Sequence, residues 1–286
     1  MVSIGCVVLS QGNRADELDR TLRAVLAQSG VQVDVLVIGN GWQPSGLPAG
    51  ARASALPTNV GVPAGRNIGA EQVAGDVLFF LDDDVVLAGD GLLAAAARMF
   101  DDDPRLGVLQ PRSVDAAGGE TARRHVPRVG GRDPLRSGDV AWFWEGCSLI
   151  RRSAFDAAGG WPSDFFYGHE GIELAWRVVD AGYRIRYAAE LAVLNPPADP
   201  FRGQSHWHYF GRNRVWVARR NLPWPLAAVY VAVWFVASVI RAPDSRARRA
   251  VVGGFAAGIR EPAGGRRPIR WRTGLRLTRL GRPPVV

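Results

Sequence analysis

Phe79-Phe80-Leu81-Asp82-Asp83-Asp84 is an apolar run that ends abruptly in three adjacent carboxylates. Val77 to Leu81 has the makeup of a buried strand, where an unpaired carboxylate costs several kcal/mol. The triplet is therefore expected at a sheet edge, facing a cation. Hard oxygen ligands suit Mg²⁺ or Mn²⁺, and such ions usually bridge to substrate phosphates rather than sit in an all-protein cage. A solvated acidic turn is the plainer alternative.

Outward from this run, strand and helix signals alternate. Ile4 to Leu9 reads as a strand, and Asp16 to Gln28 as an amphipathic helix with Leu18, Leu22, Val25 and Leu26 on one face. Val33 to Ile38 is a second strand closed by Gly39-Asn40-Gly41, Pro63 to Val73 a helix, and Gly91 to Phe100 another. This spacing predicts βαβ units and an α/β fold with a mostly parallel sheet covered on both faces. Ligands of such sheets bind beyond the carboxyl ends of the strands. Ser10, Asn40 and Asp82 each fall at such an end.

Residues 107 to 190 read differently. Short strands near Gly107-Val108-Leu109 and Cys147 to Ile150 flank a Gly/Arg/Pro-rich stretch, 118 to 138, expected to be a mobile loop. A helix is expected from Ile172 to Ala181 and another from His206 to Arg220. Asn221 to Ile240 is twenty residues without a charge, long enough to cross a bilayer. Pro223 and Pro225 are expected to shorten its helix to roughly fifteen residues, nearer to a buried or interfacial segment.

The 286 residues allow one large domain with an appendage and a sizeable core. Cys6 and Cys147 lie in apolar, strand-like contexts and read as small buried hydrophobes in a reducing compartment, excluding a disulfide framework or a thiolate metal site. The chain opens on a strand without a charged leader, so no secretory signal is expected. From Arg241 onward, twelve arginines face only Asp244 and Glu261, a net charge of +10 against +8 for the whole chain. The body is thus nearly neutral, and the tail is expected to attract anionic surfaces.

Four blocks carry a family likeness: Val7 to Ser10; Asn59 to Gly69; Leu81 to Asp84; and Gly168-His169-Glu170-Gly171-Ile172-Glu173-Leu174-Ala175-Trp176-Arg177. In this order and spacing the chain resembles the family 2 glycosyltransferases of the GT-A fold, in particular actinobacterial cell-envelope rhamnosyl- or galactofuranosyltransferases. The resemblance covers roughly residues 3 to 215. It implies a GT-A domain over 1–215, with a nucleotide-sugar-binding half (1–105) and an acceptor-binding half (106–215). Residues 216–286 then form an apolar segment and a basic helical extension. The implied reaction is inverting, metal-dependent transfer of a sugar from a nucleoside-diphosphate-sugar donor to a hydroxyl of a glycan or lipid-linked acceptor.

By the same resemblance Asp82 and Asp84 match the family's two metal-side acids, with Asp84 the expected direct ligand and Asp82 or Asp83 turned to the donor ribose or water. Ser10, Arg66 and Asn67 fall with them on the donor side. Gly61, Gly65 and Gly69 would allow close backbone approach. Inversion needs one general base. The family's acidic motif maps onto Glu170 and Glu173, with Glu170 preferred because Glu173, at a helix's first turn, can pair with Arg177. Gly171 stands where the family often has Asp, and Glu145 is kept as a further acid. Asn40 replaces a base-reading Asp and offers both a donor and an acceptor. Some relatives add a metal-binding His past the base; here Leu194-Asn195-Pro196 occupies that neighbourhood, and His206 or His208 is left for the role. Trp144, Glu145 and His169 are the expected acceptor contacts, through aromatic faces and polar groups.

Two other functions fit strand-end carboxylates. A nucleotidyltransferase would use the same metal, but the chain has no lysine and no glycine- and lysine-rich phosphate loop after the first strand. A non-catalytic scaffold would hold glycan or nucleic acid through its arginine tail. The expected location is the cytoplasmic face of the cell membrane, held peripherally by the tail on anionic lipid. Nucleic acid is not the expected partner.

Overall fold

A computed structural model of the chain describes residues 1–116, 119–129, 132–196 and 204–285. Strands β1 (Ile4–Ser10), β2 (Val33–Asn40), β3 (Ala51–Leu56) and β4 (Val77–Asp82) lie parallel in the order β3-β2-β1-β4. Helices α1 (Ala15–Leu26), α2 (Val62–Gln72) and α3 (Leu92–Asp102) connect or follow them. Side chains of a strand alternate between faces, which explains the apolar continuity of β4. Leu78 and Phe80 enter the core on one side of the sheet, Phe79 and Leu81 the core on the other. Gly65 and Gly69 bring α2 against β1: a Cβ on either would stand 2.4–2.5 Å from Leu9 or Val7.

The sheet then becomes mixed. Strands β5 (Val86–Leu87), β6 (Leu106–Asp115), β7 (Gly138–Asp139), β8 (Cys147–Arg151) and β9 (Arg184–Asn195) extend it as β4-β8-β6-β9-β5, with β7 on β9. β8 runs antiparallel to β4 and β6, and β6 parallel to β9. α4 (Arg152–Ala158) and α5 (Glu170–Asp180) complete this half. Cys6 and Cys147 are free and buried in one core cluster.

Part of the stretch expected to be a mobile loop is packed. Arg123–His125 forms a turn of 3₁₀ helix whose His125 carbonyl accepts from Gln110 Nε2 at 2.7 Å. The Arg128 guanidinium lies 5.3 Å from the Tyr187 ring centre. Residues 118, 130 and 131 of that stretch lie outside the described residues.

Four helices follow: α6 (Gln204–Asn221), α7 (Trp224–Arg241), α8 (Ser245–Arg260) and α9 (Trp271–Arg279). α6 runs through residue 215, so the apolar segment continues directly from the helix before it. The prolines do not shorten α7, which keeps 18 residues with Pro225 in its first turn, where proline's missing N–H is no loss. Only 11% of it is buried, and it is apolar and long enough to cross a membrane by length and composition. Trp224, Val229, Val233, Val236 and Ile240 are exposed along it.

Candidate active site

Two adjoining cavities open beyond the carboxyl ends of β1, β2 and β4, and Asp82, Val62 and Tyr167 line both. The first, about 300 Å³, is walled by Ser10, Asn40, Asn59, Gly61 and Asp83. Here the three strand ends converge as their sequence positions require. Ser10 Oγ donates to Asp83 at 2.6 Å. The Asn40 side chain is engaged at both ends, its amide donating to Asn59 Oδ1 at 2.9 Å and its oxygen accepting from Val60 N at 2.8 Å. It shapes the wall by fixing the 59–61 turn.

The second cavity, about 460 Å³, is walled by Arg66, Trp142, Trp144, Glu145, His169 and Glu170 together with Phe210, Arg214 and Arg282. Trp142 and Trp144 face it while Phe143 between them is fully buried, the alternation of an extended segment. Trp144 stacks on His125, with ring centres 4.3 Å apart.

The acidic triplet is crowded. Arg66 Nη2 donates to Asp82 Oδ1 at 2.8 Å, and Arg14 pairs with Asp84 and stands 3.8 Å from Asp83. Burial and the Asp82 charge push the Asp84 carboxyl up to about 6, with Arg14 opposing. Asp83 is raised chiefly by burial. Three hard carboxylates compressed in this way match the donor chemistry of Mg²⁺ or Mn²⁺, with part of the shell left to phosphates and water. As they stand, these carboxylates are not a ready-made cage: among the described residues no group of three or more His, Cys, Asp or Glu is arranged to hold an ion. His206 packs on Phe210, also on α6, at 4.0 Å between ring centres, and His208 Nδ1 lies 4.0 Å from where a Cβ on Gly253 of α8 would stand.

Glu170 is the first residue of α5, two residues before the expected helix start, and still faces the second cavity. It is 4% exposed, its Oε2 has no hydrogen-bond partner, and burial, then the Glu145 charge, pushes its carboxyl up to about 7. Arg66 Nη1, Trp142 Nε1 and His169 Nε2 are also buried without a partner around this cavity. Four orphaned polar atoms around one space mark a place built for a polar ligand. His169 caps α5 in the left-handed region (φ 68°) and is kept neutral by burial and by Arg214.

Glu145 explains the glycine at 171. Its Oε1 accepts from Gly171 N at 3.0 Å, and a Cβ on Gly171 would fall 2.4 Å from Glu145 Cγ. The carboxylate supplied by residue 145 therefore fills the space of any side chain at 171, at a helix N-terminus that favours negative charge.

Asp84, His206 and His208 do not line either cavity, and the structure also sets Glu173 and Asn67 apart from both. Glu173 is fully buried between Arg177 Nη2 (2.7 Å), Arg220 Nη2 (2.9 Å) and Asn221 Nδ2 (2.7 Å), on the side of α5 turned to α6. Asn67 bonds the backbone of Trp161 at both ends of its amide, at 2.8 and 3.0 Å, and so fixes the 160–163 turn.

Three residues beyond the sequence reading also shape the site. Asn213 Nδ2 donates to the carbonyls of Phe165, Tyr167 and Gly168 at 2.8–3.0 Å and holds the loop that leads to Glu170. An asparagine inside a helix is the signal that was available, since it is a poor helix former. Arg214 and Arg282 carry no local signal.

The family model for glycosyl transferase family 2 matches residues 6–159, more than half of the chain. The chain is 28% identical over 206 residues to the pre-mycofactocin glycosyltransferase of Mycobacterium tuberculosis, covering 69% of this chain and 39% of that protein, so it spans about two fifths of that relative's length. It is 27% identical over 227 residues to the N-acetylglucosaminyl-diphospho-decaprenol L-rhamnosyltransferase of the same organism, covering 63% of this chain and 72% of that one. The crystal structure of GalNAc-T7 with UDP, GalNAc and Mn²⁺ superposes with a TM-score of 0.63 at 15% identity, over 92% of this chain and 57% of that one. At that identity the likeness shows the GT-A fold. With the family model matched over residues 6–159 and the GT-A sheet beneath both cavities, the chain belongs to glycosyl transferase family 2.

Proposed function

We propose that this glycosyltransferase moves a sugar, with inversion, from a nucleoside-diphosphate sugar in the first cavity to an acceptor hydroxyl in the second. The observation that carries this reading is the position of Asp82, 43% exposed at the seam of the two cavities. A donor laid across that seam has its nucleoside among the strand ends and its sugar beside Glu170. The solved relative carries UDP and Mn²⁺.

Glu170 acts as the general base. The acceptor hydroxyl gives its proton to the Glu170 carboxylate while its oxygen bonds the anomeric carbon on the face opposite the leaving group. The bond from that carbon to the diphosphate oxygen breaks, and the diphosphate departs with the electron pair. A carboxyl poised near 7 suits this exchange, because about half of it is ionised at neutral pH and that carboxylate is basic enough to take a proton. Arg66, buried beside Asp82, holds positive charge next to the reacting end of the donor. Asp82 and Asp84 would hold Mg²⁺ or Mn²⁺, for which they would exchange Arg66 and Arg14. Bound there, a divalent cation offsets the charge that gathers on the departing diphosphate.

The exposed apolar side of α7, followed by arginines such as Arg246, Arg248 and Arg249, supports a peripheral position on the inner face of the cell membrane. Apolar insertion and attraction to anionic lipid are the two signals that stable attachment needs. A lipid-linked acceptor would then lie beside the cleft. A thermal-shift panel across UDP-, dTDP-, GDP- and CDP-sugars, with Mn²⁺ or with chelator, tests the donor assignment. One nucleotide class should raise the melting temperature, and only with the metal. A panel with no stabilising nucleotide sugar would refute it.

A further inference from the structure

Gly171 is a glycine by exclusion. It is the second residue of α5 and does not adopt a positive φ, so its own backbone would accept a side chain. The three nearest atoms that a Cβ there would meet all belong to Glu145: Cγ at 2.4 Å, Oε1 at 2.4 Å and Cδ at 2.5 Å. Glu145 Oε1 accepts from Gly171 N at 3.0 Å, and that N–H belongs to the peptide bond joining Glu170 to Gly171. The Glu145 carboxylate is thus fastened to the peptide group of Glu170 itself, at a helix N-terminus that favours negative charge.

The segment that carries Glu145 is fixed on both sides. Trp144 N donates to Gln110 Oε1 at 2.9 Å, and the Gly146 carbonyl accepts from Asp82 N at 2.8 Å. Gly146 lies so close to Asp82 that a Cβ on it would stand 2.4 Å from Oδ2. Glu145 therefore bridges the seam residue Asp82 and the helix that begins at Glu170. Both glutamates wall the second cavity, and Glu170 Oε2 has no hydrogen-bond partner. The Gly171 N–H favours the ionised form of Glu145. Arg66 favours ionisation of both carboxyls and Asp82 opposes it, while Arg124, His169, Arg214 and Arg282 also line the cavity wall.

We propose that Glu145 is the positioning residue of the base: its carboxylate, seated where a side chain at 171 would lie, fixes the Glu170–Gly171 peptide and supplies the negative partner against which Glu170 takes the acceptor's proton. The inference rests on Glu170 being that base. When the hydroxyl proton moves to Glu170 and the hydroxyl oxygen bonds the anomeric carbon, one of the two carboxylate charges in the cavity is neutralised. Repulsion between like charges in an enclosed space is relieved in that step, so Glu145 favours the proton's arrival.

Two measurements on the full chain test it. Carbon NMR of glutamate-labelled protein, read at Glu170 Cδ and assigned with Glu170→Gln, follows the titration of the base without any substrate. Nucleoside diphosphate release from the nucleotide sugar that stabilises the protein gives turnover across pH. Glu145→Gln keeps the shape and can still accept from Gly171 N. It should lower the Glu170 midpoint by about one pH unit or more and cut turnover about tenfold or more, with nucleotide-sugar binding retained. Gly171→Asp alone should lose turnover, because its side chain has no room. Glu145→Ala combined with Gly171→Asp moves the carboxylate onto the helix and should recover much of the native turnover. Glu145→Ala combined with Gly171→Asn, of the same shape without the charge, should not. Circular dichroism confirms folding of each variant. Native titration and native turnover in Glu145→Gln overturn the assignment. Equal recovery by the Asn and Asp pairs also overturns it and leaves residue 145 a space-filler. Failure of the base reading is visible separately: Glu170→Gln then turns over at the native rate, while the NMR titration still reports whether Glu145 acts on Glu170.

Discussion

Replacing Glu170 with glutamine should make the protein more stable at alkaline pH. The Glu170 carboxyl titrates at about 7 in the fold, against an ordinary 4.5, because it is buried and faces Glu145. Below 4.5 the group is neutral in both folded and unfolded chains and costs nothing. Between 4.5 and 7 the unfolded chain ionises first, which draws the equilibrium toward unfolding. Above 7 both states are ionised and the full cost stands, about 3 kcal/mol at ~1.4 kcal/mol per pH unit of separation. Glutamine keeps the shape and removes the charge. The gain should therefore be near zero at pH 4.5, grow through pH 6, and level off by pH 8.5. For a chain of this size it corresponds to a rise of about 5 °C in melting temperature. Differential scanning calorimetry of both proteins at pH 4.5, 6 and 8.5 measures it. An equal change at all three values, or a loss at pH 8.5, would refute the picture of a carboxyl held against ionisation in this cavity.

Glu173→Ala should instead destabilise by about 3–5 kcal/mol, since Arg177 and Arg220 are left buried without their shared carboxylate; denaturant titration reads this. Asp84→Asn should fold normally and lose transfer, and full activity of this variant in chelator would show that no cation is held there. The full chain should sediment with anionic but not neutral vesicles and be released by salt, because screening weakens attraction to the lipid surface. A chain truncated after Arg220 that binds such vesicles equally well would remove α7 and the arginines after it from the membrane account.

The parallel half of the sheet was legible because its central strands are buried on both faces. β1 and β4 read as apolar runs and β2 as one from Val35 to Ile38 after Asp34, and their ends named Ser10, Asn40 and Asp82 at once. β3 escaped because Ala51-Arg52-Ala53-Ser54-Ala55-Leu56 is a half-exposed edge strand without β-branched residues. Arg52 in it is held by two bonds to Asp34, at 2.7 and 2.9 Å. The pairing of Glu173 with Arg177 followed from helical spacing, whereas its second partner, Arg220, comes from another helix. The meaning of Gly171 depends on Glu145, 26 residues earlier in the chain, and no local pattern encodes that contact. Arg282 is the extreme case. Its glycine turn is local, but its destination is fixed by the docking of α9 on α5, where Thr273 Oγ1 and Arg270 N donate to Asp180 at 2.5 and 2.9 Å. In the sequence it reads as one more charge of a basic tail.

The central claim, that Glu170 serves as base for a sugar carried across the Asp82 seam, is tested most directly by nucleoside diphosphate release. The native chain and Glu170→Gln should be compared with the stabilising nucleotide sugar, a decyl-phosphate-linked acceptor and Mn²⁺. The account predicts release by the native chain that stops with chelator, and a fall of about 10² or more in Glu170→Gln with donor binding retained. Turnover of Glu170→Gln at the native rate would contradict it.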